Sequence, residues 1–398
     1  MNHNTEPPPS PFTIPNVRYF IAYKVLFNSR FYYPVFTILF LDFGLTVAQF
    51  SILNAAWAAS IVLSEVPLGA LADLIGRKRL MVSASTIMII EISLISFIPR
   101  ISPGLIFAAF FVNRVLSGIA EAAASGADEA IAYDSMVQKG ISDQWPRVLE
   151  VLTRCQSVGF IVAMSLGAAV YDPKLVGQFC QLLGIPLVPT QEVTMRFPLY
   201  LTLVLAVGAL FTTLKMTDSV SPLAKTPGSS RVKQAFGHTF QAGRWILNSG
   251  FVLSVILFGM MFDGIIRMVI TLSSQYYRLI LIPESIFGLI GAMVALLGFI
   301  VPRFARILVE EKTIKAPLWI TATLTISGLA LMNFFWPYLG LVPALITFSA
   351  MYFNGFFVSF YINRETPSEQ RATVLSFKGL AYNISYGILG IAYALLLK

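Results

Sequence analysis

Residues 69–79 read Gly-Ala-Leu-Ala-Asp-Leu-Ile-Gly-Arg-Lys-Arg, a basic turn set between two long apolar stretches. Each part has a physical use. Gly69 lets its helix approach a neighbour closely, and Gly76 permits a tight reversal of the chain. Arg77, Lys78 and Arg79 hold the turn at a membrane surface, where charge stays in water. Asp73 is suited to meet a positive helix N-terminus or a cation. The flanking stretches, 47 to 72 and 80 to 98, each supply the roughly 20 apolar residues that a helix needs to span a bilayer core about 30 Å thick.

The pattern continues in both directions. Eleven spans are expected, near 19 to 41, 47 to 72, 80 to 98, 104 to 134, 146 to 171, 195 to 215, 251 to 277, 284 to 308, 316 to 334, 338 to 362 and 373 to 397. Of the 398 residues, 56% are apolar and 12% charged, about half the charged share of a soluble domain. That composition excludes a disordered chain, and two cysteines, Cys155 and Cys180, exclude a disulfide scaffold. A net charge of +8 looks like a nucleic-acid signal until the basic residues are placed. They fall in alternate loops between apolar segments, so no nucleic-acid partner is expected. Helices must do the spanning, because lipid offers the backbone no partner and no ten-residue alternating strands occur. The expected class is all-α and polytopic.

Basic loops stay cytoplasmic, which puts the N-terminus inside. Arg231, Lys233, Arg303, Arg306 and Arg364 then join Arg77 to Arg79 on the inner side, and Arg100, Lys174, Arg196 and Arg278 lie outside. The first 18 residues are a polar, proline-rich cytoplasmic tail without a cleavable signal. A six-helix unit over 19–215, a cytoplasmic loop over 216–250 and a second helical unit over 251–398 follow. Within that loop Val232, Phe236 and Phe240 recur every four residues among basic side chains, as in an interfacial helix, although a plain basic linker reads equally well. Eleven spans leave Lys398 outside, so either a twelfth helix is missing or the protein is an eleven-helix variant.

The 69–79 turn resembles the signature G-x-x-x-D-R-x-G-R-R/K of major facilitator superfamily transporters, at the loop where that family carries it. Gly69, Asp73, Gly76, Arg77 and Lys78 match, and Leu74 stands where Arg is usual. A weaker match lies in the fourth span, where Arg114, Gly118 and Ala122 fit R-x-x-x-G-x-x-x-A with Ser117 in place of the common Gln. The fifth span has Gly159 and Gly167 but lacks the Gly-Pro pair of antiporters. The resemblance implies two pseudo-symmetric bundles, as in the proton-coupled drug and metabolite branch. It implies a gate in which Asp73 and its neighbours lock the second span against the eleventh. The expected setting is the inner membrane of a bacterium, with lipids as partners and the protein acting as a monomer.

Charges inside a bilayer cost about 2.5–3.5 kcal/mol on insertion scales, so those retained face a bundle interior or a wet cavity. Arg30, Glu65, Glu91, Arg154, Asp263 and Arg267 all fall within spans. In the fourth span Arg114, Glu121, Ser125 and Asp128 follow at offsets of 0, 7, 11 and 14, which keeps them on one face. Structural ion pairs compete with a transport path as the explanation. With His3 and His238 outside the spans, a carboxylate must carry any proton; Glu121 is the first choice and Asp263, one turn from Arg267, the second. Asp128, Glu129 and Asp134 opposite Lys139, Arg147 and Arg154 suggest inner-gate ion pairs, and Lys378 is placed to reach Glu65 or Asp73.

Arg30, Arg114 and Arg267 favour an anionic or zwitterionic solute, since guanidinium forks bind carboxylates and phosphates. Tyr32, Tyr33, Tyr352, Phe353, Phe356 and Phe357 with Asn354 suit either a greasy pocket or lipid-facing packing. No ATP-binding loop, metal cluster or cofactor motif is read. The chain is therefore expected to be a carrier, not an enzyme. A lipid or lysolipid flippase of the same fold is the nearer alternative, and a lipid-modifying enzyme the more distant one.

Overall fold

A computed structural model describes residues 10–186, 188–218, 243–311, 315–366 and 368–397. The amphipathic reading of the central loop, and the N-terminal nine residues, lie outside the described part. Helices make up the rest, in the order α1 (Pro15–Asn28), α2 (Phe36–Asp42), α3 (Val47–Ile75), α4 (Arg77–Phe97), α5 (Pro103–Ala124), α6 (Ala127–Gln138), α7 (Trp145–Tyr171), α8 (Pro173–Leu182), α9 (Gln191–Thr194) and α10 (Phe197–Lys215). Six more follow: α11 (Gly250–Thr271), α12 (Ser273–Leu279), α13 (Phe287–Glu311), α14 (Lys315–Met332), α15 (Leu341–Glu365) and α16 (Ser368–Leu396).

Among the described residues, ten helices are long and apolar enough to cross a membrane, one fewer than the eleven expected. The difference is the first span, which breaks in its middle into α1 and α2. Pro34 is the cause. It has no N–H to give, and its ring would strike the Arg30 carbonyl of a continuous helix. The broken turn is supported from two sides. The Phe31 N–H donates to Thr202 Oγ1 of α10 at 3.0 Å, and Gly167 of α7 sits so close that any Cβ there would collide with the Phe31 carbonyl. The fourth span is also two helices, because Gly126 adopts a left-handed φ of +76° between α5 and α6. The single continuous polar face expected over 104 to 134 is therefore interrupted.

The helices form two bundles, α1–α10 and α11–α16. Small residues set their close approaches, as lipid provides no hydrophobic drive between helices. A Cβ on Gly118 of α5 would lie 2.7 Å from the Trp57 carbonyl of α3. Gly69, by contrast, has nothing within 4 Å of where a Cβ would be. The expected close approach at Gly69 is not made, and the turn is shaped by Gly76, whose φ is +93°. Asp218, beyond α10, caps the helix that follows: its Oδ1 accepts the Lys78 N–H at 2.8 Å.

The bundles meet along α3 with α16 and α7 with α13. Both seams tighten at the end of the molecule away from the 69–79 turn. Gly390 of α16 packs on the Ser51 carbonyl near the start of α3, where a Cβ would lie 3.2 Å away, and Gly288 of α13 packs on the backbone of Met164 and Ser165. Polar contacts cluster at the same end. Ser274 Oγ accepts the Thr37 and Ile38 N–H groups at 3.0 and 3.3 Å, so one bundle caps a helix N-terminus of the other.

Candidate functional site

The break between α1 and α2 places Arg30 in the centre of the N-terminal bundle, 3% exposed. Its Nη1 donates to Glu91 Oε1 of α4 and to the Tyr32 hydroxyl, both at 2.9 Å, and to Ser117 Oγ of α5 at 3.3 Å. Glu91 is fully buried, and Asn113 of α5 donates to its carboxylate and, at 2.9 Å, to its carbonyl. Both oxygens of the carboxylate and one nitrogen of the guanidinium are thus engaged, which helps two charges to sit in an apolar interior. Glu91 and Asn113 were not among the residues nominated from the sequence. Glu91 stood out only as a charge within a span, and its partner is 61 positions away.

Next to Asn113 on α5, Arg114 is 6% exposed. Nη2 donates to Asn54 Oδ1 of α3 at 3.1 Å. The rings of Phe36 and Trp57 lie 5.3 and 5.2 Å from Cζ, a cation–π arrangement. Among the described residues no carboxylate pairs with Arg114, and its buried Nε has no acceptor.

Glu121 is half-buried and faces a cavity of about 530 Å³ lined also by Lys24, Trp57, Glu65, Asp128, Glu129 and, from the C-terminal bundle, Gly379 and Asn383. The cavity therefore lies between the bundles, on the side of the 69–79 turn. Ser125, Gly126 and Glu129 on its wall are exposed. Glu121 and Glu65 make no ion pair or hydrogen bond through their carboxylates among the described residues. Of the four residues expected on one face, Glu121, Ser125 and Asp128 share this cavity, and Arg114 lies deeper.

The expected ion pairs near the basic turn are arranged differently. Asp128 is 1% exposed and pairs with Lys24 of α1 at 2.6 Å, not with cations of α7. Arg154 is 75% exposed and pairs with Glu150 on its own helix at 2.6 Å, because its face of α7 points out of the bundle. Glu129 is exposed and makes no ion pair among the described residues. Asp134 is engaged by Arg77, which ties the basic turn to α6. The Asp73 side chain lies outside the described ones. Lys378 makes no ion pair with Glu65; its ammonium lies 5.7 Å from the Tyr382 ring centroid. In the C-terminal bundle Arg267 binds Asp263 at 2.7 Å and Asn383 Oδ1 at 2.9 Å. Of the aromatic residues, Tyr33 lines a second cavity of about 250 Å³ between the bundles, Tyr32 holds Arg30, and Phe353 and Phe357 are core.

At the far end, one cluster escaped the sequence reading. Arg278, beyond α11, donates to both Asp42 oxygens at 2.8 and 2.9 Å and to Glu284 at 2.9 Å. Tyr171 donates to Asp42 as well. Partial burial works against the Arg278 charge, and its bonds to Asp42 and the field of Glu284 outweigh that, so its pKa is held above the ordinary guanidinium value. The signal was faint: Arg278 read only as a basic residue in an outer loop, 236 positions from Asp42.

The profile described as Major Facilitator Superfamily matches residues 20–390. Among solved structures, a mutant of the nucleoside transporter NupG is similar with a TM-score of 0.70 at 14% identity, covering 95% of this chain and 90% of that one. A D-xylose–proton symporter gives 0.67 at 12% identity, with 96% and 89% covered. A bacterial homolog to the human lysosomal transporter Spinster, inward-facing and occupied, gives 0.64 at 15% identity, with 98% and 82% covered. No curated protein matches the sequence.

Proposed function

This chain belongs to the Major Facilitator Superfamily and is a multi-pass integral membrane protein; on that premise we infer that it is a secondary transporter working by alternating access. It moves a small organic solute, anionic or zwitterionic in preference, without changing its bonds, and it is driven by protons. The basic turn at 77–79, with Arg303, Arg306 and Arg364, supports a cytoplasmic position for that face and for the N-terminus with it. The state described is then inward-facing, closed by the contacts at Asp42, Ser274 and Gly288. The location is a bacterial inner membrane.

One observation carries the reading. Glu121 is a half-buried carboxylate without an ion pair among the described residues, on the wall of a cavity that lies between two bundles and is sealed at one end only. Such a carboxylate borders the cavity in this state, and closing the cavity would withdraw it from that space into the bundle interface, the kind of place where a charge kept within a span serves a function. Arg30 and Arg114 stand deeper along the same path. Similarity to a proton symporter of the same fold supports coupling to protons.

The experiment uses purified protein in liposomes holding a pH-sensitive dye, offered anionic, zwitterionic, cationic and neutral solutes. A solute-dependent pH change is expected, and Glu121→Gln is expected to abolish it while keeping solute binding within about threefold. Solute-driven pH change intact in Glu121→Gln would remove the proton role from Glu121.

A second reading has one observation in its favour. A groove of about 830 Å³ between α13 and α15 is lined by Met351, Tyr352, Phe356 and Phe360 and ends at Arg364. An apolar groove with a cation at its rim suits a lysolipid entering from the bilayer, so a fluorescent lysolipid belongs in the same panel.

A further inference from the structure

The central network of the N-terminal bundle does not balance its charge. Arg30, Glu91 and Arg114 are 3%, 0% and 6% exposed. Two guanidinium groups, which stay charged at any physiological pH, face one carboxylate. That carboxylate is already committed, one oxygen to Arg30 and the other to Asn113. One positive charge is left over, and the bonding shows which residue bears it. Arg30 has Glu91, Tyr32 and Ser117. Arg114 has a neutral amide, Asn54, and two rings. Its Nε is buried without an acceptor, and the one side-chain hydrogen bond Arg114 makes among the described residues is that of Nη2 to Asn54. Glu121, two turns along, faces the cavity and bonds to neither arginine.

A buried, unpaired charge is costly, and proteins keep one where a ligand completes it. The surroundings of Arg114 fit that purpose. Of the rings beside it, Trp57 lines the cavity toward the basic turn and Phe36 lines the smaller cavity between the bundles. Arg114 thus stands between the two spaces a solute would pass through, with donors that no protein group uses.

Resting on the transporter reading above, we propose that Arg114 is the anchor for the anionic group of the solute, and that this group is a carboxylate. The charge count selects the class: one negative charge neutralises the network, whereas a phosphate dianion would overshoot it by one. A planar carboxylate also matches the guanidinium fork, accepting two N–H groups in parallel. The ring next to each cavity then gives an apolar or aromatic body a surface to lie against. Arg30 is a positioning residue in this scheme. Its bond to Glu91 commits the carboxylate of the network, which then does not pair with Arg114.

The test is titration of the purified full-length protein with four probes that share one ring: benzoate, phenyl phosphate, benzamide and benzylamine. A series of aliphatic monocarboxylates from acetate to decanoate is run beside them. Calorimetry and thermal unfolding give the affinities. A carboxylate is expected to bind and raise the unfolding temperature, and the amide and amine are not. Arg114→Gln is expected to weaken that binding about a hundredfold and Arg114→Lys about tenfold, in keeping with two charge-assisted bonds lost or reduced to one. Without ligand, Arg114→Gln is expected to unfold no earlier than the parent, since it removes an uncompensated charge. A structural arginine would behave in the opposite way. If the Gln variant fails to fold, the Lys variant decides.

Carboxylate binding unchanged in the variants overturns the assignment, as does the absence of any carboxylate binding to folded parent protein. Tighter binding of phenyl phosphate than of every carboxylate overturns the choice of group. If liposomes show flux of a neutral or cationic solute alone, the transporter reading stands and the anion anchor falls. If carboxylates bind through Arg114 but nothing crosses the membrane, the anchor stands and the transporter reading falls.

Discussion

The two ends of the cleft between the bundles treat their charges in opposite ways. At the far end Asp42, Arg278, Glu284 and Tyr171 are joined across the bundles by short bonds, and Ser274 caps α2. At the end near the 69–79 turn, Glu65, Glu121 and Glu129 on the cavity wall, and Lys378 on α16, bond to nothing among the described residues across the cleft. In the alternating-access reading proposed above, both ends open in turn. A closed end is one whose charges have found partners in the other bundle, and an open end holds the same kinds of group with water in between. On that reading, the difference teaches where the energy of the proposed switch would reside: in swapping one set of pairs for the other, not in either bundle's core.

The largest effect is expected from breaking the closed end. Arg278 is one-third exposed, so its bidentate bond to Asp42 is discounted for solvent to about 1–2 kcal/mol. Its removal also leaves Asp42 and Glu284 facing one another. Arg278→Ala is expected to shift the population about tenfold or more toward the state open at the far end. A cysteine at Ser274, in a background with Cys155 and Cys180 replaced by serine, reads this through its labelling rate from that side. An unchanged rate would mean that apolar contacts at Gly288 and Gly390 hold the end shut alone.

A smaller effect is expected at the open end. Lys378 and Glu65 lie on the two helices that form one seam, α16 and α3, and the cavity separates the bundles here. If they pair when this end closes, Lys378→Ala removes a contact of the other state only. It should leave the thermal stability of the state described here within about 0.5 kcal/mol and slow transport severalfold. Disulfide formation in a Glu65→Cys, Lys378→Cys double variant sharpens the comparison. Crosslinking that is faster in Arg278→Ala than in the parent is the expected outcome, and equal rates would separate the two ends energetically.

Next comes the basic turn itself. Arg77 and Asp134 are about 30% exposed, and such a pair is worth about 0.5–1 kcal/mol. Asp134→Asn should lower the unfolding temperature by only a few degrees and speed transport slightly, because the turn is also held by the Asp218 cap on Lys78. A loss of folding would show that the pair, and not the cap, organises the turn.

How much of this was legible follows from sequence distance. Spans were, because a run of apolar residues is a local signal, and the one miscounted span was broken by Pro34, whose effect depends on whether neighbours such as Thr202 and Gly167 support the break. Arg114 and Glu121 stood out because charge in a span is rare. Their surroundings did not. Asn54, Asn113 and Ser117 are small polar residues that any helix tolerates, and nothing local says that they meet Arg114, Glu91 and Arg30. The motif also misdirected at Gly69. Its glycine spacing marked the right turn, but the tight helix contact is made by Gly118 on another helix.

Arg154 gives the smallest expected effect and the sharpest contrast with sequence reading. From spacing alone it is a cation inside a span, opposite the acidic end of the fourth span, and a gate residue by that argument. In three dimensions its face of α7 is the outer one. Three-quarters of the side chain is exposed, and its partner is Glu150, four residues back on the same helix. A pair of that kind contributes about 0.3–0.5 kcal/mol, and it has no counterpart across the cleft to exchange with. Arg154→Ala should therefore leave transport, labelling at both ends and unfolding temperature within error of the parent, where Arg278→Ala changes all three. A change in end-to-end labelling with Arg154→Ala would mean that α7 turns on its axis during the switch, bringing this face toward the cleft in the state open at the far end.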